Sequence, residues 1–218
     1  MVEDRVAYLA GLVAGKRLLD IGVVDHMILE RDRKGSDWLH GQLAGVASYS
    51  LGVDVLEDDV RRLREEGYNV VVGDVTSLEL EERFDVVVAG EVIEHLDSPA
   101  SVFALAAKTL VPGGRLVVTT PYPFYVGRVW KNWRGAVSDS VDHVGLFWPS
   151  GLIEYAERYG LTPDVFRPVT KAPGSRIGKA VVAMKPLWTG LGFSELAMAE
   201  TAIYEFVFGN PSVTDAHD

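Results

Sequence analysis

The chain has 218 residues, no cysteine, 48% apolar residues and a formal charge of −10. That is enough apolar chain for one folded domain; it excludes disulfides and cysteine-ligated zinc and disfavours a nucleic-acid backbone as the main partner. No run of about 18 uncharged apolar residues occurs, and "MVEDRVAYLA" lacks a signal-peptide pattern, so the expectation is a soluble, cytoplasmic protein.

Residues 17–21, ending in Leu19, Asp20 and Ile21, read as a short buried strand that stops at Gly22. A nucleotide-binding turn would supply further glycines there, but Val23 and Val24 follow. The charged stretch 25–35 is irregular, and Ser36 is placed as the cap of a helix with Leu39, Leu43 and Val46 on one face. A second strand (48–55) precedes a helix carrying Val60 and Leu63 and closed by Gly67. Third and fourth strands are predicted over 68–75 and 83–93, and Ser98-Pro99 opens a helix that ends at "VPGG". "RLVVTT" (115–120) is a fifth strand, and a helix over 149–159 stops at Gly160. "LTPDVFRPV" and "KAVVAMKP" suggest a closing antiparallel pair. In the tail, Leu196, Ala199, Ile203, Phe206 and Val207 predict an amphipathic helix from Ser194 to Phe208. It would pack on the parent domain or on a second subunit.

Strands and helices alternating over the first 160 residues predict an α/β fold, doubly wound around a mostly parallel sheet. Ligands of such sheets sit beyond the carboxyl ends of the strands. Acids stand at four of those ends: Asp20 beside Gly22, Asp54 before Val55, Asp74 between Gly73 and Val75, and Glu91 after Gly90. A carboxylate closing the second strand suits a ribose diol, because it accepts both hydroxyl protons. One after the third strand accepts from an exocyclic amine.

The segments "LLDIG", "GVDV", "GDV", "FDVVVAGEVIEHL" and "LVPGGRLVVTTP" resemble those of class I S-adenosylmethionine-dependent methyltransferases. The resemblance spans Arg17 to Leu161 and implies a Rossmann-like seven-stranded sheet with the last strand antiparallel. It implies S-adenosylmethionine contacts around Asp20, Gly22, Asp54, Val55, Gly73, Asp74, Val75, Gly90 and Glu91. The expected domain is 1–187 with an insert at 121–148, followed by a helical tail, 188–218. The departure is the first turn, where the family carries two or three glycines; the insert 23–35 would compensate, with Trp38 or His40 bordering the cofactor. Two alternatives stay open: a module that keeps the fold without catalysis, and an NAD-dependent oxidoreductase. The missing Gly-x-Gly-x-x-Gly speaks against the second.

"EVIEH" with a distant histidine resembles metal-dependent O-methyltransferases. On that resemblance Glu91, Glu94, His95 and His143 would hold a divalent cation such as Mg, leaving positions for substrate hydroxyls. Catalysis would otherwise fall to His143 or His95 as general base beside Glu94, since imidazole titrates near neutral pH. A third reading gives the cluster neither role. The insert interleaves Tyr122, Phe124, Tyr125, Trp130, Trp133, Phe147 and Trp148 with Arg128, Lys131 and Arg134, a lid suited to a flat or polyhydroxylated acceptor. The expected activity is O-methylation of a small hydroxylated acceptor such as a sugar, sugar acid or phenol. Neither nucleic acid nor membrane is expected as partner, and a homodimer would form through the tail helix.

Overall fold

The computed structural model describes residues 2, 4–24, 38–136, 140, 142–170, 190 and 194–209. Its elements are α1 (Arg5–Val13), β1 (Arg17–Ile21), α2 (Leu39–Val46), β2 (Tyr49–Asp54), α3 (Glu57–Glu65), β3 (Val70–Val72) and β4 (Phe84–Gly90). A short 3₁₀ turn (Ile93–His95) leads to α4 (Ala100–Thr109), β5 (Leu110–Pro121), α5 (Val126–Trp133), α6 (Pro149–Arg158) and β6 (Leu161–Val169). A second 3₁₀ turn (Glu195–Met198) precedes β7 (Thr201–Phe208).

The strands form one sheet in the order β3-β2-β1-β4-β5-β7-β6. Only β7 runs against its neighbours, pairing antiparallel with β5 and β6. Successive strand residues point to opposite faces, and the core divides accordingly. Leu18, Val86, Val88, Val117 and Ile203 pack against α1 and α2 through Leu9, Val13 and Leu43. Their neighbours Leu19, Val87, Ala89, Leu116 and Val118 pack against α4 and α6 through Val102, Phe103, Leu152 and Ala156. Burial on both faces makes the central strands nearly continuous apolar runs. Helix α3 is built differently: Glu57, Asp58 and Asp59 occupy its first turn and Arg62 and Arg64 its last, complementing the helix dipole.

Local boundaries shift from expectation. Ser98 does not cap α4 through its side chain; its carbonyl accepts from Ser101 N at 3.0 Å, and Pro99 stands at the cap. Helix α2 begins at Leu39, and Ser36 lies outside the described residues.

The helix expected from Ser194 to Phe208 does not form. Residues 201–208 form β7, inserted between β5 and β6, so the domain extends past residue 187 and this segment presents no surface helix to a second subunit. Ala202, Tyr204 and Phe206 enter one core face and Ile203 the other. An apolar run buried on both sides has no period that separates strand from helix; only its aromatic and β-branched content favours the strand. "KAVVAMKP", expected to pair with β6, lies outside the described residues. Glu205 on β7 is only 2% exposed. It accepts from the Tyr8 hydroxyl, and Arg115 Nη1 lies 3.2 Å from its other oxygen, so its charge is paired within the sheet. Among the described residues no helix is long and apolar enough to cross a membrane.

Placing β7 inside the sheet predicts that Phe206→Ala, which empties a site in edge contact with Phe103 at 5.7 Å, costs about 3–5 kcal/mol in urea unfolding. A loss below about 1 kcal/mol would place Phe206 outside the core.

Candidate active site

A cleft of about 600 Å³ opens where β1, β2, β3 and β4 end. Asp20, Gly22, Asp54 and Val55 line it from the first two strands. Gly73, Asp74 and Val75 follow from the third, and Gly90 and Glu91 from the fourth. Every residue expected to contact the cofactor therefore faces one space. Its volume lies within the range of small-molecule sites, about 300–1,000 Å³.

The first turn keeps its shape with a single glycine. Gly22 has φ +76°, and a Cβ there would lie 2.3 Å from Val92 Cγ2, so no larger residue fits. Beyond it, side chains hold the backbone. Trp38 Nε1 donates to Val23 O at 2.8 Å, and Val24 N donates to Asp54 Oδ2 at 2.8 Å. Beneath them His40 Nδ1 meets Asp20 Oδ2 at 2.8 Å, with both side chains buried. A Cβ on Gly52 would lie 2.9 Å from His40 Cε1, so β2 is also shaped for the imidazole. Burial pushes the Asp20 carboxyl up, and the His40 contact pulls it back. Trp38 and His40 both line the cleft, as expected.

Each Asp54 oxygen already accepts one backbone N–H, from Val24 and from Leu56 at 3.1 Å. A carboxylate offers about four acceptor positions, so the carboxylate is oriented yet still has capacity for a diol. Asp74 is held through one oxygen by the backbone and hydroxyl of Thr76, which keep its carboxyl below the usual range.

Glu91 takes a left-handed conformation, φ +57°, costly for a residue with a side chain. Its Oε1 lies 3.0 Å from Arg5 Nη1 and accepts from the Thr119 hydroxyl at 3.0 Å. Arg5, at the start of α1, lines the cleft. Sequence reasoning missed it because nothing local relates residue 5 to residue 91; only the docking of α1 on the sheet does.

Of the four residues expected to hold a cation, three come together. Donor atoms of Glu94, His95 and His143 lie within 4.8 Å of one another, whereas Glu91 turns to Arg5. Glu94 is fully buried; Oε2 accepts from Thr120 Oγ1 at 3.0 Å, and Oε1 has no hydrogen-bond partner. Among the three, His95 lines the cleft, and His143 meets it edge-on with ring centroids 4.8 Å apart. His95 Nδ1 lies 3.2 Å from the Asp142 carbonyl, which can only accept, so Nδ1 is the donor in this contact. Asp142 also lines the cleft and was not singled out from the sequence, although it adjoins His143.

No ring of the insert lines the cleft. Tyr122, Phe124 and Trp148 pack on one another, at 5.5 and 4.7 Å between centroids, and Trp130 packs on Trp133 at 5.3 Å. From the insert, Asp142 is the described residue that lines the cleft.

Burial first, and then the nearby Glu91 carboxylate, push the Glu94 carboxyl from 4.5 up to about 8. A raised acid binds its proton more tightly folded than unfolded, so its contribution to stability is complete below about 4.5 and is lost as pH rises through about 8. Glu94→Gln should therefore flatten the decline of thermal midpoint between pH 5 and 8, and an unchanged slope would contradict the burial of this acid.

The methyltransferase domain family model matches residues 2–164. Ubiquinone biosynthesis O-methyltransferase of Burkholderia vietnamiensis is 29% identical over 153 residues, covering 66% of this chain and 58% of that protein. The protein of the same name from Aromatoleum aromaticum is 30% identical over 171 residues, covering 70% of this chain and 66% of that one. The chain thus spans 58% and 66% of these relatives' lengths, less than two thirds. Among solved structures, N-methyltransferase NodS from Bradyrhizobium japonicum with S-adenosyl-L-homocysteine superposes with a TM-score of 0.57 at 16% identity, covering 94% of this chain and 86% of that one. The chain belongs to the methyltransferase domain family and has the Rossmann-like fold of class I S-adenosylmethionine-dependent methyltransferases.

Proposed function

We propose that the protein transfers a methyl group from S-adenosylmethionine to an oxygen of a small hydroxylated acceptor. The observation that carries this reading is the convergence of Asp54, Asp74, Glu91 and Gly22 on one cleft with His95 at its margin. Family membership displaces the NAD-dependent alternative. The names of the curated relatives support oxygen as the acceptor atom.

Bound S-adenosylmethionine supplies an electrophilic methyl carbon on a sulfonium. The chain binds and orients it: Asp54 takes the ribose diol, Asp74 lies toward the adenine, and Arg5 and Glu91 match the carboxylate and ammonium of the methionine part. His95 accepts the acceptor's hydroxyl proton at Nε2, while the Asp142 carbonyl fixes the ring through Nδ1. The remaining rate enhancement is positioning within the cleft.

A divalent cation is a second reading, favoured by the Glu94–His95–His143 group and the unbonded Glu94 oxygen. Those three side chains fit a metal with open positions, which would acidify a bound hydroxyl.

An acceptor screen scored by release of S-adenosylhomocysteine tests the function, with sugars, sugar acids, catechols and quinol precursors first. His95→Gln should lower kcat by about 10²–10⁴-fold with donor affinity unchanged; an unchanged kcat would remove the base. In the same assay the base reading expects full activity in excess chelator, and the metal reading expects its loss.

A further inference from the structure

Glu205 is a buried carboxylate for which the proposed chemistry has no use. It stands on β7 opposite Val117 of β5, on the face of the sheet that carries α1. Its Oε1 accepts from the Tyr8 hydroxyl of α1, and its Oε2 meets Arg115 Nη1 at 3.2 Å. The Tyr8 hydroxyl in turn accepts from Arg167 Nε of β6 at 2.7 Å. A phenol has one proton to donate, so this hydroxyl is fixed in both directions. One turn earlier on α1, Arg5 Nη1 lies 3.0 Å from both Thr119 Oγ1 and Glu91 Oε1. Thr119 pairs with Ile203, two residues along each strand from the pair of Val117 and Glu205. Residues three apart on a helix and two apart on a strand each share a face. Helix α1 therefore lays Arg5 over Thr119 and Tyr8 over Glu205, with its first turn at the cleft. Ahead of the helix, Val2 N donates to Pro168 O at 2.9 Å and Val2 O accepts from Thr170 N at 3.1 Å. Arg5 thus lies between two attachments of the chain to β6.

We infer that Tyr8 is a positioning residue for the methyl donor: its hydroxyl sets the register of α1 on the sheet, and that register delivers Arg5 to the cleft. The inference rests on the reading that Arg5 meets the carboxylate of the donor's methionine part. Leu9 and Val13 press α1 against the sheet, but apolar contact is non-directional and resists sliding only weakly. A hydrogen bond to a carboxylate is directional and strong. A buried carboxylate is also a poor source of stability, since an apolar side chain of similar volume often serves as well. What Glu205 supplies is a requirement about which group faces it, and α1 answers with Tyr8. Recognition of a charged group demands placement within about 0.5 Å, finer than the packing of two apolar side chains sets by itself. Tyr8 does not line the cleft, so it acts through Arg5.

The test is a double-mutant cycle on the full chain, read by calorimetric titration with two ligands. One is S-adenosylmethionine; the other is 5′-methylthioadenosine, which keeps the nucleoside and lacks the amino-acid part. Tyr8→Phe keeps the ring and removes the hydroxyl. It should weaken S-adenosylmethionine about tenfold and leave 5′-methylthioadenosine within about twofold of the unaltered chain. On an Arg5→Met background the same substitution should change S-adenosylmethionine affinity by less than about twofold, because the group that Tyr8 places is gone. Arg167→Met, at an exposed residue, removes the other partner of the hydroxyl. It should weaken S-adenosylmethionine alone, by about threefold or more, and it carries the comparison should Tyr8→Phe fail to fold. Three results would overturn the inference: S-adenosylmethionine affinity unchanged by Tyr8→Phe, equal weakening of both ligands, or a Tyr8→Phe effect undiminished when Arg5 is already methionine. Failure of the folded, unaltered chain to bind S-adenosylmethionine is a different outcome, which overturns the donor reading and this inference with it.

Discussion

Three hydrogen bonds of 2.8 Å hold the first turn: Asp20 to His40, Trp38 to Val23 O, and Val24 N to Asp54. They matter because the turn has one glycine where close backbone approach would favour several, and branched valines resist unusual dihedrals. Each bond is worth about 1 kcal/mol net, and those to a carboxylate up to about 3 kcal/mol. Two of them join α2 to the end of β1, fixing both sides of the turn. The third aims the Asp54 carboxylate into the cleft. Glycine freedom is replaced by side-chain anchorage, and the floor of the site depends on it.

The residues at the strand ends could be read directly because parallel-sheet topology dictates their convergence: Asp54, Asp74 and Glu91 are separated in sequence but stand at the same end of the parallel strands β2, β3 and β4, with β1 between β2 and β4. The order of β7 could not. Its residues satisfy a helical stripe and a doubly buried strand equally, and the choice is made by β5 and β6 offering open edges to either side. The same limit hid Glu205, whose burial makes sense only beside Tyr8 and Arg115. Arg5 and Asp142 were missed for a related reason, since each joins the site through a contact distant in sequence. Glu91 stands apart from Glu94, His95 and His143 because its carboxylate meets Arg5, a partner distant in sequence.

Net charge does not describe every local surface. A total of −10 is a statement about long-range field and solubility, whereas α5 concentrates cations and exposed indoles within two turns of helix. The two scales of electrostatics are independent. Within the insert, Tyr122 packs on Phe124 and Trp130 on Trp133.

The central claim is that a turn anchored by tryptophan, histidine and two aspartates still forms a site for the methyl donor. Calorimetric titration of the folded chain tests it directly. S-adenosylmethionine should bind one per chain in the micromolar range, Asp54→Asn should weaken it at least about tenfold, and NAD should give no heat. Absence of heat with S-adenosylmethionine from a chain shown folded by circular dichroism would contradict the account.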